Sequence, residues 1–506
     1  MATTVFVLRT QQMSNILGIS CGFHDAGVTV IDDYGNIKFA SHSERFSKKK
    51  HDPDLCPEIV DHALKFGNIH TVAYYENHWL KKYRQLRAGQ KVDTNLTLRS
   101  VLKNQLPRNV LDKNLVSYGH HQSHAATGFQ TSSFSEATIV VIDAIGELDT
   151  ISIWTAEYDK NGVAQYKLRW RKGYPHSIGL FYSAMTKRVG LRPLDEEYIL
   201  MGMSAYGQPK HIGGILDKYI DSISTQTFKE NMHMGVPDDF LGADADHYDI
   251  ASSSQEVVEA LIYSVMDYAR HYFPSKNLVY AGGVALNCLA NRHLGKYFEN
   301  IWIMPNPGDA GSSLGAAALA YGKQINWNDA SLGYNIPGKY PVRDILDELQ
   351  VNKIVGVASG RAEFGPRAFG NRSLLADPRG HEIKDKVNDI KRRQHFRPFA
   401  PVILEEFADE YFTMPKGFEK SPYMQAVAYC KKPNEFPAII HKDGTSRVQT
   451  VPKDGSGIRK LLEEWLTLTG CPMLLNTSLN IRGEPMVNDI NDANRFEKEY
   501  GVKVCT

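Results

Sequence analysis

The sequence predicts an α/β protein of two domains, the first of them internally duplicated. Three observations carry that expectation. A strand–turn–strand unit with Asp and Gly in its turn occupies residues 16–31 and recurs at residues 139–154. Apolar, β-branched runs such as Ala137-Thr138-Ile139-Val140-Val141-Ile142 read as buried strands of an open sheet, and this one ends on a carboxylate, Asp143. A chain of 506 residues is too long for one ordinary core, and its character changes to polar and Pro/Gly-rich at 323–350, where the boundary is placed.

Composition narrows the class. Hydrophobic content of 42% and charged content of 23% are ordinary for a globular protein. A net charge of +1 supplies no global field toward nucleic acid or membrane. The six cysteines have no CxxC and no paired spacing, which predicts reduced thiols rather than a disulfide frame. No run of eighteen apolar residues and no signal peptide is legible, so a cytoplasmic, membrane-free protein is expected. The first dozen residues read as a loose extension before the first strand.

In chain order, Ile16–Ser20, Val28–Asp32 and Ile37–Ala40 are three antiparallel strands, with a Gly-rich turn at 21–27. His24-Asp25 in that turn suits a plain polar turn as well as a site. Residues 57–66 are helical, His70–Tyr75 is a strand, and the basic stretch 77–105 forms surface helices. The central stretch follows, Tyr118-Gly119-His120-His121-Gln122-Ser123-His124. On a helix, residues four apart share a face, so His120 and His124 aim two imidazoles at one point. With Asp143 they make a competent shell for a divalent transition metal. After a turn at 144–147, Thr150–Trp154 is a strand and Ser177–Val189 a helix, and residues 198–207 close that helical region. Residues 222–250 read as an irregular acidic loop and Glu256–Tyr272 as a helix.

Strand Asn277–Ala281 runs into Gly282-Gly283, where a helix is expected to start. Such a junction lets a nucleotide lie against backbone, and also serves plain packing. Asp309 precedes helix 312–321 and suits both an N-cap and a fourth metal ligand. Beyond the boundary, Lys353–Ala358 is a strand. Residues 361–397 then carry ten Lys/Arg against five Asp/Glu. Arginines interleaved with Gly, Phe and Pro there predict a rigid loop that presents guanidinium forks to phosphate. Helix 456–468, strand Pro472–Leu475 and Ser478-x-Asn480 complete the chain; the last offers hydroxyl and amide groups suited to phosphate and carbamoyl-type atoms, and suits a plain turn as well.

The chain resembles the NodU/CmcH-type O-carbamoyltransferases from Met13 onward. The resemblance is carried by His24-Asp25, by His120-His121-x-x-His124-Ala125, by Asp143-x-x-Gly146-Glu147 and by residues 201–207. It is carried further by Gly282-Gly283-Val284-Ala285-Leu286-Asn287 and Gly308-Asp309-x-Gly311. Its most specific carriers are Glu363-Phe364-Gly365-Pro366-Arg367-Ala368-Phe369-Gly370-Asn371-Arg372-Ser373 and Arg397-Pro398-Phe399-Ala400-Pro401. It implies a duplicated actin-like domain at 13–335 and a YrdC-like domain at 350–506. The YrdC-like domain would join carbamoyl phosphate to ATP, used with Mg, giving carbamoyl adenylate and pyrophosphate. The actin-like domain would pass the carbamoyl group to an acceptor hydroxyl with release of AMP. The resemblance further implies a metal, Fe(II) with Mn or Zn as alternatives, on His120, His124, Asp143 and Asp309. It implies His24 as acceptor base, and Lys391, Arg397, Arg447, Ser478 and Asn480 as the adenylation set. It implies nucleotide contacts from Gly146, Gly282, Gly283, Asn287, Gly311, Arg367 and Arg372. The chain departs from the family at Ala144, where Gly is usual, and at Tyr198 or Ile199, where Lys is common.

Two other readings use the same folds: a tRNA threonylcarbamoyl transferase and an actin-like ATP-binding regulatory protein. Neutral charge and the acidic 222–250 stretch do not favour a tRNA surface, and a regulatory protein leaves residues 361–480 unexplained. The acceptor is open among sugars, lipo-oligosaccharides and nucleotides, and so is a homodimer.

Overall fold

The computed structural model describes residues 14–506 apart from 88, 90, 91, 93, 94, 96 and 456, so the expected loose extension lies outside the described residues. Two five-stranded sheets dominate the first two-thirds. In one, the order is Ile37–His42, Gly27–Ile31, Ser14–Ser20, Asn68–Tyr74, Asn114–Ser117. In the other it is Ala164–Gly173, Asp149–Tyr158, Glu136–Ile142, Asn277–Ala281, Asn300–Trp302. Directions match as well: three antiparallel strands, then two parallel to the central one. The parallel strands Glu136–Ile142 and Asn277–Ala281 are almost wholly buried, which is why they read as unbroken apolar runs.

Two helices between these sheets set up the site. Helix His120–Phe129 packs against helix Ser312–Tyr321, and Gly315 permits the approach. A Cβ there would stand 1.9 Å from the Ser123 carbonyl oxygen. The contact brings the helix carrying both imidazoles against the turn carrying Asp309.

Residues beyond 350 build a six-stranded mixed sheet, ordered Gln449–Val451, Ala400–Leu404, Met473–Ser478, Arg372–Ala376, Ile354–Ala358, Val504–Cys505. It has its own core, in which Trp465, Leu461 and Leu475 are fully buried. Contacts tie the two parts: Arg45 donates to the Gly365 carbonyl at 2.9 Å, Tyr206 to the Phe396 carbonyl at 3.0 Å, and Arg482 pairs with Glu196 at 2.6 Å.

Three readings are corrected and one strand is added. The polar stretch 323–350 contains strand Ser331–Ile336 and helix Val342–Asn352, whose buried Val342, Ile345, Leu346 and Leu349 follow the helical period. Strand Ala164–Gly173 was not anticipated. It is an edge strand, and Lys167, Arg169 and Arg171 on it look like a solvated loop in sequence. The acidic stretch ends early, because Asp246 caps a helix that spans His247–Tyr272. Gly282-Gly283 opens no proper helix, only a 3-10 turn Gly283–Leu286 and a four-residue helix Cys288–Asn291. Gly282 sits at φ 89°, with the Ile142 carbonyl 2.2 Å from where a Cβ would be.

All six cysteines are free. Among the described residues, no helix is long and apolar enough to cross a membrane.

Candidate active site

His120, His124, Asp143 and Asp309 converge, each buried, with their donor atoms all within 4.8 Å of one another. The His120 and His124 Nε2 atoms lie 3.1 Å apart. Asp143 Oδ2 is 3.1 Å from His120 Nε2, and Asp309 Oδ1 is 3.4 and 3.3 Å from the His120 and His124 Nε2 atoms. Ligands about 2.1 Å from one ion at tetrahedral to octahedral angles stand about 3.0–3.4 Å apart. The spacing therefore fits a single divalent cation. The supporting shell fits too. Ser312 Oγ meets His124 Nδ1 at 3.0 Å, and the Gly283 N–H donates to Asp143 Oδ1 at 3.0 Å. Glu147 accepts the His120 N–H at 2.8 Å and the Asn77 N–H at 2.6 Å, so a carboxylate fastens the start of the imidazole-bearing helix.

Burial opposes charge in every member, and the neighbouring groups of opposite sign act against it. Burial would raise Asp143 and Asp309, but both imidazoles pull the carboxyls well below their usual range. Burial would lower His120 and His124, but the two carboxylates raise both. His121 turns away to Ser152 Oγ at 2.8 Å, and burial with the neighbouring His120 pushes it down to about 3.

His24 stands beside this cluster, its Nε2 3.8 Å from Asp309 Oδ2 and its Nδ1 2.9 Å from Asp25 Oδ2. Burial lowers its pKa, and the Asp25 hydrogen bond with the Asp309 and Asp143 charges lifts it to about 9. A cation between Asp143 and Asp309 would offset only the share of that lift that comes from their charges.

One cavity of about 450 Å³ is lined by His24, Asp143 and Asp309 and also by cationic side chains from the last third of the chain. Lys391 there reaches Ser478 Oγ at 3.3 Å, the Asn480 carbonyl at 2.8 Å and Asn480 Oδ1 at 3.1 Å. Ser478 Oγ in turn donates to Asn480 Oδ1 at 2.6 Å. Arg393 lies over the Phe399 ring at 4.2 Å and donates to Asn388 Oδ1 at 2.6 Å. Arg397 lies over Tyr198 at 4.8 Å. An aromatic ring thus faces this guanidinium at one of the two departures from the family. Burial and neighbouring guanidiniums push Lys391 and Arg393 well down and Arg367 to about 9. Among the described residues, buried Arg447 Nε has no hydrogen-bond partner. Among the described residues, Arg367, Lys391, Arg393, Arg397 and Arg447 have no carboxylate within ion-pair distance. Converging cations without carboxylates match a polyanionic ligand.

The cavity is lined by most of the expected residues: His24, Asp143, Asp309, Gly283, Asn287, Arg367, Lys391, Arg397, Arg447, Ser478 and Asn480. Four lie elsewhere. Gly146 packs on the His120 and His121 rings, Gly311 under the Asn306 carbonyl, and Gly282 on Ile142. Arg372 is fully buried and donates to the carbonyls of Asn488, Ser359, Gly360, Asn371 and Tyr334, so no N–H is left for phosphate. Replacing it by Met orphans those carbonyls and should cost about 3 kcal/mol or more, read as a lower midpoint in urea unfolding. Residue-by-residue reading did not single out Arg393, Arg45 or Arg482, all of which line the cavity. For Arg393 the available signal was its place in the Lys391-Arg392-Arg393 run.

Comparison with known proteins gives matches over most of the chain. Residues 69–318 match the family described as carbamoyltransferase N-terminus, and residues 346–505 the carbamoyltransferase C-terminus. An uncharacterized Synechocystis protein is 33% identical, covering 96% of this chain and 94% of its own. Nodulation protein NolO of Bradyrhizobium diazoefficiens is 31% identical over 74% of this chain and 75% of its own. Nodulation protein NolNO of Sinorhizobium fredii is 29% identical over 93% of this chain and 76% of its own. Component A of Acidaminococcus fermentans (R)-2-hydroxyglutaryl-CoA dehydratase, a solved structure, is 16% identical, with a TM-score of 0.36 over 61% of this chain and 97% of its own.

Proposed function

The chain belongs to the carbamoyltransferase family, and from that premise we propose that it is an ATP-dependent O-carbamoyltransferase working through carbamoyl adenylate. The observation that carries the reading is the single cavity that joins the His/Asp cluster to five cations without carboxylate partners. In this reading residues 350–506 are a YrdC-like adenylating domain and residues 13–335 a duplicated actin-like transfer domain. The repeated strand order of the two N-terminal sheets supports the duplication.

Carbamoyl phosphate and ATP are both polyanions, and their approach needs cancelled charge. Lys391, Arg367, Arg393, Arg397 and Arg447 supply it, and they stabilise the pyrophosphate as it leaves. Ser478 and Asn480 fix the Lys391 ammonium and present hydroxyl and amide groups beside it. Carbamoyl adenylate hydrolyses readily, so an enclosed route to the second centre preserves it. There His24 takes the proton of the acceptor hydroxyl. His120, His124, Asp143 and Asp309 would hold the metal, which supplies Lewis-acid polarisation of the carbamoyl group and charge for departing AMP. Gly283 and Ser312 hold two of those ligands in orientation.

Incubation with ATP and carbamoyl phosphate tests the reading. Pyrophosphate release should depend on carbamoyl phosphate, and a mass-spectrometric screen of alcohols should show gain of one carbamoyl group. Pyrophosphate release indifferent to carbamoyl phosphate contradicts the reading.

A further inference from the structure

Three loops far apart in sequence meet beside His24. Asp25 Oδ2 receives His24 Nδ1 at 2.9 Å, and Asp25 Oδ1 meets His51 Nδ1 at 2.8 Å. His51 Nε2 meets Asp195 Oδ1 at 2.7 Å, and Asp195 Oδ2 pairs with Arg192 at 2.7 Å. We propose that Asp25, His51 and Asp195 form a positioning relay that orients the His24 imidazole and fixes its tautomer, leaving Nε2 free to take the acceptor's proton. This inference rests on the reading of His24 as acceptor base.

Geometry supports each link. Asp25 faces Nδ1, so in the neutral ring the proton is held at Nδ1 and the Nε2 lone pair is the one left to act as base. The nearest carboxylate oxygen to Nε2, on Asp309, is 3.8 Å away, beyond hydrogen-bond range. His24, Asp25, His51 and Asp195 all line the cavity. His51 has a carboxylate on each ring nitrogen, an arrangement that suits an imidazolium bridging two anions. Burial lowers its pKa, and the Asp195 and Asp25 hydrogen bonds raise it to about 10.

The backbone supports it independently. Asp25 and His51 adopt φ of 51° and 53°, and Leu194, next to Asp195, 62°. The left-handed region is disfavoured for a residue with a Cβ. Asp25 and His51 side chains are a quarter or more exposed, so core packing does not account for the strain. The Asp195 loop is anchored on its far side by the Glu196–Arg482 ion pair, which reaches the last third of the chain.

The step the relay serves balances simply. The acceptor O–H proton passes to His24 Nε2 as the acceptor oxygen bonds the carbamoyl carbon. The carbamoyl carbon–oxygen bond to AMP breaks, and its electron pair leaves on the AMP phosphate. His24 returns the proton to solvent after the carbamate ester departs.

The test uses the full chain labelled with ¹⁵N-histidine, plus methanol as the acceptor probe. In the wild type, His51 should give two strongly low-field N–H proton signals in NMR. The isosteric Asp195→Asn variant should shift the Nε2 signal and His51→Gln should remove both. Formation of methyl carbamate should fall about 10–100-fold in kcat in His51→Gln and Asp25→Asn. Pyrophosphate formation and the KM for carbamoyl phosphate should stay within about twofold of wild type. Absence of the low-field pair in wild type overturns the relay, as does wild-type kcat for transfer in His51→Gln. A wild type that shows the pair yet releases no pyrophosphate on carbamoyl phosphate overturns the proposed function instead, and the base role of His24 with it.

Discussion

Replacing His120 and His124 together by alanine should strip the metal and abolish transfer while leaving adenylation in place. Elemental analysis should fall from about one equivalent per chain to background, because two carboxylates alone make a poor site for a transition metal. Carbamoyl transfer should drop at least about 1000-fold, as expected when Lewis-acid stabilisation of a leaving group disappears. Carbamoyl-phosphate-dependent pyrophosphate release should persist, since it depends on side chains from another sheet. Equal metal content in variant and wild type would argue against these ligands.

Lys391→Ala should do the reverse. Pyrophosphate release should fall about 100–1000-fold, as expected when a fixed cation beside the developing charge is lost, while metal content stays unchanged. Lys391→Arg should not rescue it. The ammonium is held by a compact set of acceptors on Ser478 and Asn480, and a planar fork does not fit them. Recovery with Arg would mean that Lys391 supplies charge alone.

Much of this site was legible in the sequence, for specific reasons. The His120/His124 spacing places two imidazoles on one helical face, and a buried strand ending on Asp143 points its carboxylate at them. Asp309 was ambiguous between cap and ligand because both roles put Asp before a helix; its carboxylate caps nothing and faces the imidazoles. Arg372 looked like Arg367, yet lies on a strand whose neighbours aim bare carbonyls at it, a fact no spacing reveals. The relay was illegible because Asp25, His51 and Asp195 are loop residues brought together only by the fold. The Gly-Gly junction misled for the opposite reason. It has the local signature of a helix start, but the 3-10 turn it opens ends at Asn287, whose ψ of 86° leaves the helical region.

The central claim is that one cavity serves both reactions, so that the acyl nucleotide never enters solvent. The direct measurement mixes the Lys391→Ala variant with the His120→Ala/His124→Ala variant. One cannot make the intermediate and the other cannot use it. Supplied with ATP, carbamoyl phosphate and an alcohol that the wild-type enzyme carbamoylates, the mixture should form no more product than the two variants do separately. Recovery to a substantial fraction of the wild-type rate would show the intermediate diffusing between molecules and would contradict the account.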